Sequence, residues 1–284
     1  MHNGSFALCQ IYASFFGGMN MGAVIAQRII SLTPSLTEIL FALKLNDRVV
    51  GITDSCDYPF EARNRPNVGC WFDPDLQKLF ALKPDFVLGL ETAHLELKPK
   101  LESKGISLLL VNPTTVDGAI TDMARIGKIL GIDDTAQNLA AKLRARLAKV
   151  GAAVRALAPE DRLSACRILD LEDGRLHVAG PLSFQYDIIA RAGGGNVTGS
   201  IGEAYPKISF AQLLEWDPQV IFNCGFDLRI TPGFADRPEW KSLQAVQSGR
   251  VFTFDCGLTC RTGPRIVDMV ELLFKTLYHE LKKD

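Results

Sequence analysis

The sequence predicts an α/β fold: two αβ lobes with mainly parallel sheets, joined by one long rigid helix. Three observations predict it. Short apolar strand patterns alternate with helical patterns along the chain, as in parallel sheets covered on both faces. Over residues 133–157 a single amphipathic pattern runs with no breaker except Gly151. The stretches on either side of it echo each other. Residues 79–89 (LFALKPDFVLG) and 213–223 (LLEWDPQVIFN) each read helix, Pro turn, buried strand, and the strand patterns at 48–53 and 250–254 each lead into a loop with cysteine.

The elements follow in order. Residues 28–32 (RIISL) form a short buried-strand pattern. Thr33-Pro34-Ser35 offers caps for a helix over 36–43, with Glu38 in its first turn. The second strand is 48–53. A long loop follows, holding Cys56, Asp57, Tyr58 and Pro59, then Gly69, Cys70 and Trp71. Pro74 opens a helix over 75–82, and 86–90 is the next strand. A helix over 95–104, stopped by Gly105, leads to a strand at 106–111, and a helix over 115–130 ends at Gly131. On the helix over 133–157, Leu139, Leu143, Leu147, Val150, Val154 and Leu157 share one face, and its length is roughly 35 Å at 1.5 Å per residue. Beyond Pro159 the alternation resumes: strand 167–171, helix 182–191, helix 210–214, strand 220–223, helix 240–246, strand 250–254 and a final helix over 266–281. Gly193-Gly194-Gly195 follows a helix rather than a strand, so it reads as a C-cap and turn, not a phosphate cradle. The implied organisation is an extension or signal at 1–27, an N-terminal lobe at 28–132, the interlobe helix at 133–158 and a C-terminal lobe at 159–284.

Composition narrows the function. A net charge of -1 leaves no basic excess to neutralise phosphates, so no nucleic-acid partner is expected. The apolar stretch at 5–26 ends in Val24-Ile25-Ala26, which resembles a signal-peptidase site, yet no Lys or Arg precedes it. Two readings stand: export to the periplasm, or initiation at Met19 or Met21 and a cytoplasmic protein. The 7 cysteines are an odd number, in a chain of 284 residues that needs no disulfide framework to fold. Cys166 opens the apolar run 166–171 and reads as core.

Cys56, Cys70, Cys224, Cys256 and Cys260 fall at or just after predicted strand ends, where open parallel sheets bind ligands. If the lobes face each other, two thiols come from one wall and three from the other. Such a set suits a soft metal or an iron–sulfur cluster; loop thiols that never converge are the plain alternative. His94 and His279 sit among charged residues and read as surface, whereas His177 follows a strand and reads equally as a cleft or a core histidine. Neither a nucleophile elbow nor a P-loop is present, and no nucleophile–base pair is legible, so the chain reads as a binding protein and not an enzyme.

Several segments match one family in order: IISLTPSLTEILFAL (29–43), VVGITDSCDYP (49–59), VGCWFDPDLQKLFALKPDFVL (68–88) and GPRIVDMVELL (263–273). They resemble the corrinoid-binding periplasmic proteins of ABC importers, the helical-backbone class (class III) of solute receptors. The loops CDYP (56–59) and CGFDL (224–228) resemble one branch of it, labelled cobalamin-binding by similarity. The resemblance implies two αβ lobes on one helix and a cobalamin or related metal chelate as cleft ligand, with no cofactor required. The ligand set it implies is Trp71, Tyr58, His177, Tyr205, Phe226 and Arg261. Trp71 matches an aromatic that packs on the corrin. Tyr205 and His177 fall where vitamin B12 receptors of the family have a tryptophan and a phenylalanine. A monomer that delivers to an ABC permease is implied, with small closure motions because the interlobe helix is stiff. The departures are local. Gln77 and Ala211 stand where the family carries the glutamates that dock onto permease arginines, with Asp75 and Glu215 near them. Ala192 and Phe274 stand at the positions of a family disulfide. A thiolate-ligated metal or iron–sulfur carrier on the same fold is the alternative reading.

Overall fold

A computed structural model describes residues 26–225 and 238–278. The expected signal segment, Phe226, His279 and the end of the last predicted helix lie outside the described residues.

The N-terminal part carries four parallel strands: β1 (Ile29–Ser31), β2 (Val49–Ile52), β3 (Phe86–Leu90) and β4 (Ser107–Val111), in the order β2-β1-β3-β4. The chain leaves β2 and crosses β1 to reach β3. The strand order therefore reverses around β1, and the crevice beyond its carboxyl end is where such sheets bind ligands. Helices α1 (Pro34–Ala42), α2 (Leu76–Ala81), α3 (Glu91–His94), α4 (Lys98–Glu102) and α5 (Val116–Ile129) cover this sheet. Where one helix over 95–104 is expected, the chain makes α3, a 3-10 turn and α4. Pro99 sits in the first turn of α4, where its missing N–H does no harm, whereas mid-helix it would break the ladder.

Helix α6 (Asp133–Arg155) is the rod, 23 residues long and about 35 Å at 1.5 Å per residue. It packs on α5 on one side and on the C-terminal helices α7 (Phe184–Arg191) and α11 (Ile266–Tyr278) on the other. Its buried face is Ala136, Ala140, Leu143, Leu147 and Val150. One apolar core therefore runs unbroken through both halves, from Leu88 and Ile120 past Leu143 to Phe222 and Val270. Each sheet's other face has a smaller core of its own, around Ile30, Leu79 and Leu101 in one half and Ile168, Leu213 and Trp240 in the other.

The second sheet comprises β5 (Ser164–Glu172), β6 (Arg175–Val178), β8 (Lys207–Ile208), β9 (Val220–Cys224) and β10 (Val251–Phe254), ordered β10-β9-β5-β6-β8, with β7 (Gly195–Asn196) beside the start of β5. Strands β10, β9 and β5 are parallel, as expected. Strands β6 and β8 are antiparallel additions that the alternation does not predict. Asp173 and Gly174 both have positive φ and close a tight hairpin between β5 and β6, for which Asp-Gly is a strong signal. Helices α8 (Phe210–Trp216), α9 (Gln244–Gln247) and α10 (Cys256–Thr259) complete this half. The helix expected over 240–246 is instead a 3-10 turn followed by α9. Gly193 ends α7 at φ 85, in keeping with the C-cap reading.

Candidate ligand cleft

The loop between β2 and α2 leaves the carboxyl end of β2. Tyr58, Phe60 and Phe72 expose 46%, 71% and 65% of their surface, which makes this loop the most apolar exposed region on its lobe. Trp71 lies against Phe72, with ring centroids 3.5 Å apart. Phe60 and Phe72 were not in the expected ligand set, although both stand in the same loop as Trp71.

His94 braces this loop from behind. It is fully buried, which corrects the surface reading. Its Nδ1 accepts from the Leu90 N–H at 2.9 Å, so Nε2 is left to donate to the Trp71 carbonyl at 2.6 Å. Gly89 makes room, since a Cβ there would come within 2.9 Å of the ring. A glycine inside a strand is the sequence sign of such an approach. Burial lowers the His94 pKa from its ordinary value of 6.5. The unfolded chain therefore takes up the proton first as pH falls. The stability that neutral His94 contributes is complete above about pH 6.5 and is lost below it. His94→Ala leaves two backbone groups without their partner and is expected to cost about 1–3 kcal/mol, and it should flatten the acid limb of a urea-stability profile.

The cysteines separate into three environments. Cys56 is core: it is 2% exposed, and its Sγ lies 3.1 Å from Thr37 Oγ1 and 3.3 Å from Thr53 Oγ1. Burial pushes its pKa up. Cys70 is exposed and stands apart from the other thiols. Among the described residues only Cys224, Cys256 and Cys260 converge, with sulfurs all within 4.8 Å of one another. The five-thiol site thus becomes a three-thiol one. The register explains it. Cys224 ends β9 opposite Phe254 of β10, Cys256 opens α10 just beyond, and Cys260 follows one turn later. Hydrogen bonds with Cys224 and Cys260 push the Cys256 pKa up.

On the same side, Tyr205 is 44% exposed and donates its hydroxyl to Gln185 Oε1 at 2.9 Å. Partial burial raises its pKa, and it feels the charges of Cys260 and Arg167. Leu182 exposes 59% of its surface nearby in the chain. His177, by contrast, turns to acids of its own hairpin: Nδ1 lies 2.8 Å from Asp170 and Nε2 3.9 Å from Glu172.

The two lobes are tied together by the segment from Cys260 to Arg265. Glu38, buried on α1, receives Arg265 at 2.7 and 2.9 Å and Arg261 at 3.0 Å. Arg261 also pairs with Asp57 at 2.6 Å, and the Thr262 N–H donates to Ser35 Oγ. The Arg265 guanidinium stacks over Tyr58, 3.8 Å from the ring centroid. Arg261 is thus engaged in an interlobe ion pair. Burial works against its charge, but Asp57 and Glu38 outweigh it and raise its pKa. Burial likewise opposes the Asp57 carboxylate, and Arg261 prevails to lower its pKa. Tyr58 therefore meets this segment through Arg265.

Residues 29–256 match the family described as periplasmic binding protein. The chain belongs to that family. Its members bind solutes and do not transform them. A vitamin B12-binding protein of Vibrio campbellii is 30% identical over 270 residues, covering 93% of this chain and 93% of that one. A periplasmic heme-binding protein of Roseiflexus sp. RS-1 superposes with a TM-score of 0.79 at 25% identity, covering 89% of this chain and 98% of that one. A periplasmic vitamin B12 binding protein of Vibrio cholerae superposes with a TM-score of 0.77 at 24% identity, over 91% and 99% of the two chains, and shares the fold. The iron–sulfur alternative finds no support in this binding-protein family.

Proposed function

We propose that the protein is the periplasmic receptor of an ABC importer, and that it holds a cobalamin or a related metal chelate in the cleft between its lobes. The observation that carries this reading is the exposed aromatic surface on each lobe, Tyr58, Phe60 and Phe72 with Trp71 against Phe72 on one and Tyr205 on the other, taken as the two walls of that cleft. A broad, flat, largely apolar ligand suits two such walls better than a small polar solute does. The naming of the Vibrio campbellii relative favours a corrinoid, and that of the Roseiflexus neighbour makes heme the competing ligand. Residues 28–132 and 159–284 act as the lobes of a monomer, with residues 133–158 between them.

Delivery to a permease would use the exposed faces of α2 and α8. Gln77 and Ala211 are exposed there but carry no charge. Asp75 is partly committed to capping α2, accepting from Gln77 and Lys78, whereas Glu215 on α8 accepts from Gln212 one turn before it. Permease contact on the α2 side therefore rests less on a free carboxylate than on the α8 side.

The test is a titration of the purified protein with cyanocobalamin and, separately, with hemin, read by visible absorbance and tryptophan fluorescence. Saturable one-to-one binding of cyanocobalamin is expected, weakened about tenfold or more by Trp71→Ala, as loss of an aromatic platform implies. A protein that binds neither compound overturns the reading, and preferential binding of hemin moves it to a porphyrin.

A further inference from the structure

The thiol cluster has a charged companion that ligand stacking does not explain. Arg167 on β5 is fully buried, and its Nη2 lies 3.5 Å from Cys260 Sγ. Its Nη1 donates to the Ile168 carbonyl and its face packs over Phe222, the residue two before Cys224. Its Nε is buried with no hydrogen-bond partner, and among the described residues no carboxylate pairs with the guanidinium. A guanidinium stays protonated inside proteins, so a whole positive charge sits buried with one donor on Cys260 Sγ, at one corner of the three-sulfur cluster.

We propose that Cys224, Cys256 and Cys260 form a three-thiolate site for one soft divalent metal ion, with Arg167 as its buried counter-charge. Charge decides the valence. Three neutral thiols leave the guanidinium uncompensated. Three thiolates around a divalent ion carry one net negative charge, which matches Arg167. A monovalent ion leaves one negative charge too many, and a trivalent ion leaves none to pair with Arg167. Geometry agrees. Metal–sulfur bonds of about 2.3 Å at tetrahedral angles put sulfurs about 3.8 Å apart. The Cys260 and Cys224 sulfurs are 3.7 Å apart. Thiolates select thiophilic ions of the zinc and cadmium kind over magnesium or calcium. On binding, three S–H bonds give way to three metal–sulfur bonds, and the three protons pass to solvent. Cys224 is buried, Cys256 half-buried and Cys260 exposed, so the fourth coordination position opens on the side of Cys260. The site goes beyond the corrinoid reading, since it needs no organic ligand.

The test uses the reduced full-length protein, kept anaerobic, and cadmium ion alone. A thiolate-to-cadmium charge-transfer band in the near ultraviolet should saturate at one ion per chain, with proton release in weak buffer. Cys260→Ser, at an exposed position, should weaken cadmium binding at least tenfold, and Cys70→Ser should leave it unchanged. Arg167→Gln should weaken it in the same direction, with circular dichroism reporting the fold. The proposal is overturned by the lack of a saturable band, by an unchanged stoichiometry and affinity in Cys260→Ser, or by loss of the band in Cys70→Ser. A disulfide within the trio that forms as fast with cadmium as without it overturns it too. No cobalamin or hemin enters this experiment, so its failure leaves the corrinoid titration standing, and the reverse holds.

Discussion

Glu38→Gln is expected to destabilise the protein by about 3–5 kcal/mol, read as a shift in the midpoint of urea unfolding, because it breaks a buried ion pair from one side only. Glu38 retains 2% of its side-chain exposure and meets Arg261 and Arg265, whose side chains retain 14% and 20%. Glutamine fills the same space but supplies no charge. Arg261 keeps Asp57 as a partner, whereas among the described residues Arg265 keeps only the Tyr58 ring. Most of the loss therefore falls on Arg265. Arg265→Met added to Glu38→Gln should recover part of it, since the second substitution removes the stranded cation. A double variant as unstable as the sum of the two single ones would count against that account. The effect should reach the ligand as well. Arg265 sits on Tyr58 and Arg261 on Asp57, so the carboxylate that ties the lobes also sets the posture of one aromatic wall.

That carboxylate was visible in the sequence only as an acid in the first turn of a helix. Nothing local distinguishes it from a cap-favouring surface glutamate, and its partners lie more than two hundred positions away. The rod and the strand alternation were legible because periodicity is a local property that burial of one face enforces. The hairpin at Asp173-Gly174 carries its signal in two residues, which the strand–helix alternation does not use. The cysteines divide on the same principle. Strand ends can be read from the chain, so Cys224 and Cys256 could be placed at one edge. Whether thiols at such edges meet depends on which strands are neighbours. Strands β9 and β10 are, which brings Cys224, Cys256 and Cys260 together. Cys56 follows β2 in the other sheet and points inward to two threonine hydroxyls. His94 was misplaced for a related reason: its charged neighbours in sequence say little about a ring that fills the space left by a glycine on the adjoining strand.

Gly127 tests how firmly the rod is held. Helix propensity alone ranks alanine above leucine above glycine, so substitutions at this position in the last turn of α5 ought to stabilise. Packing predicts the reverse. A Cβ on Gly127 would lie 2.1 Å from the Cβ of Ala136 on α6, and 3.5 Å from the Ala136 Cα. Neither atom can rotate away, since both are fixed to helical backbone, so only separation of the two helices relieves the overlap. That separation opens the core shared by both lobes, where Ala136, Ala140 and Leu143 face α5 and the sheet beneath it. Overpacking typically costs about 1–3 kcal/mol, occasionally more, against a propensity gain of about 1 kcal/mol for alanine. Gly127→Ala is therefore expected to lose about 1 kcal/mol net and Gly127→Leu about 3 kcal/mol, measured by urea unfolding. The order glycine, alanine, leucine moves glycine from last place in the propensity order to first, and an observed propensity order would mean that α5 and α6 slide past each other freely. The other side of the rod is fixed by Arg146, which reaches Asp268 and Glu271 of α11 at 2.6 Å. A helix held by close contact to one lobe and by ion pairs to the other transmits displacement instead of absorbing it. This is the physical basis for expecting the lobes to close on a ligand by small shear rather than by wide hinging.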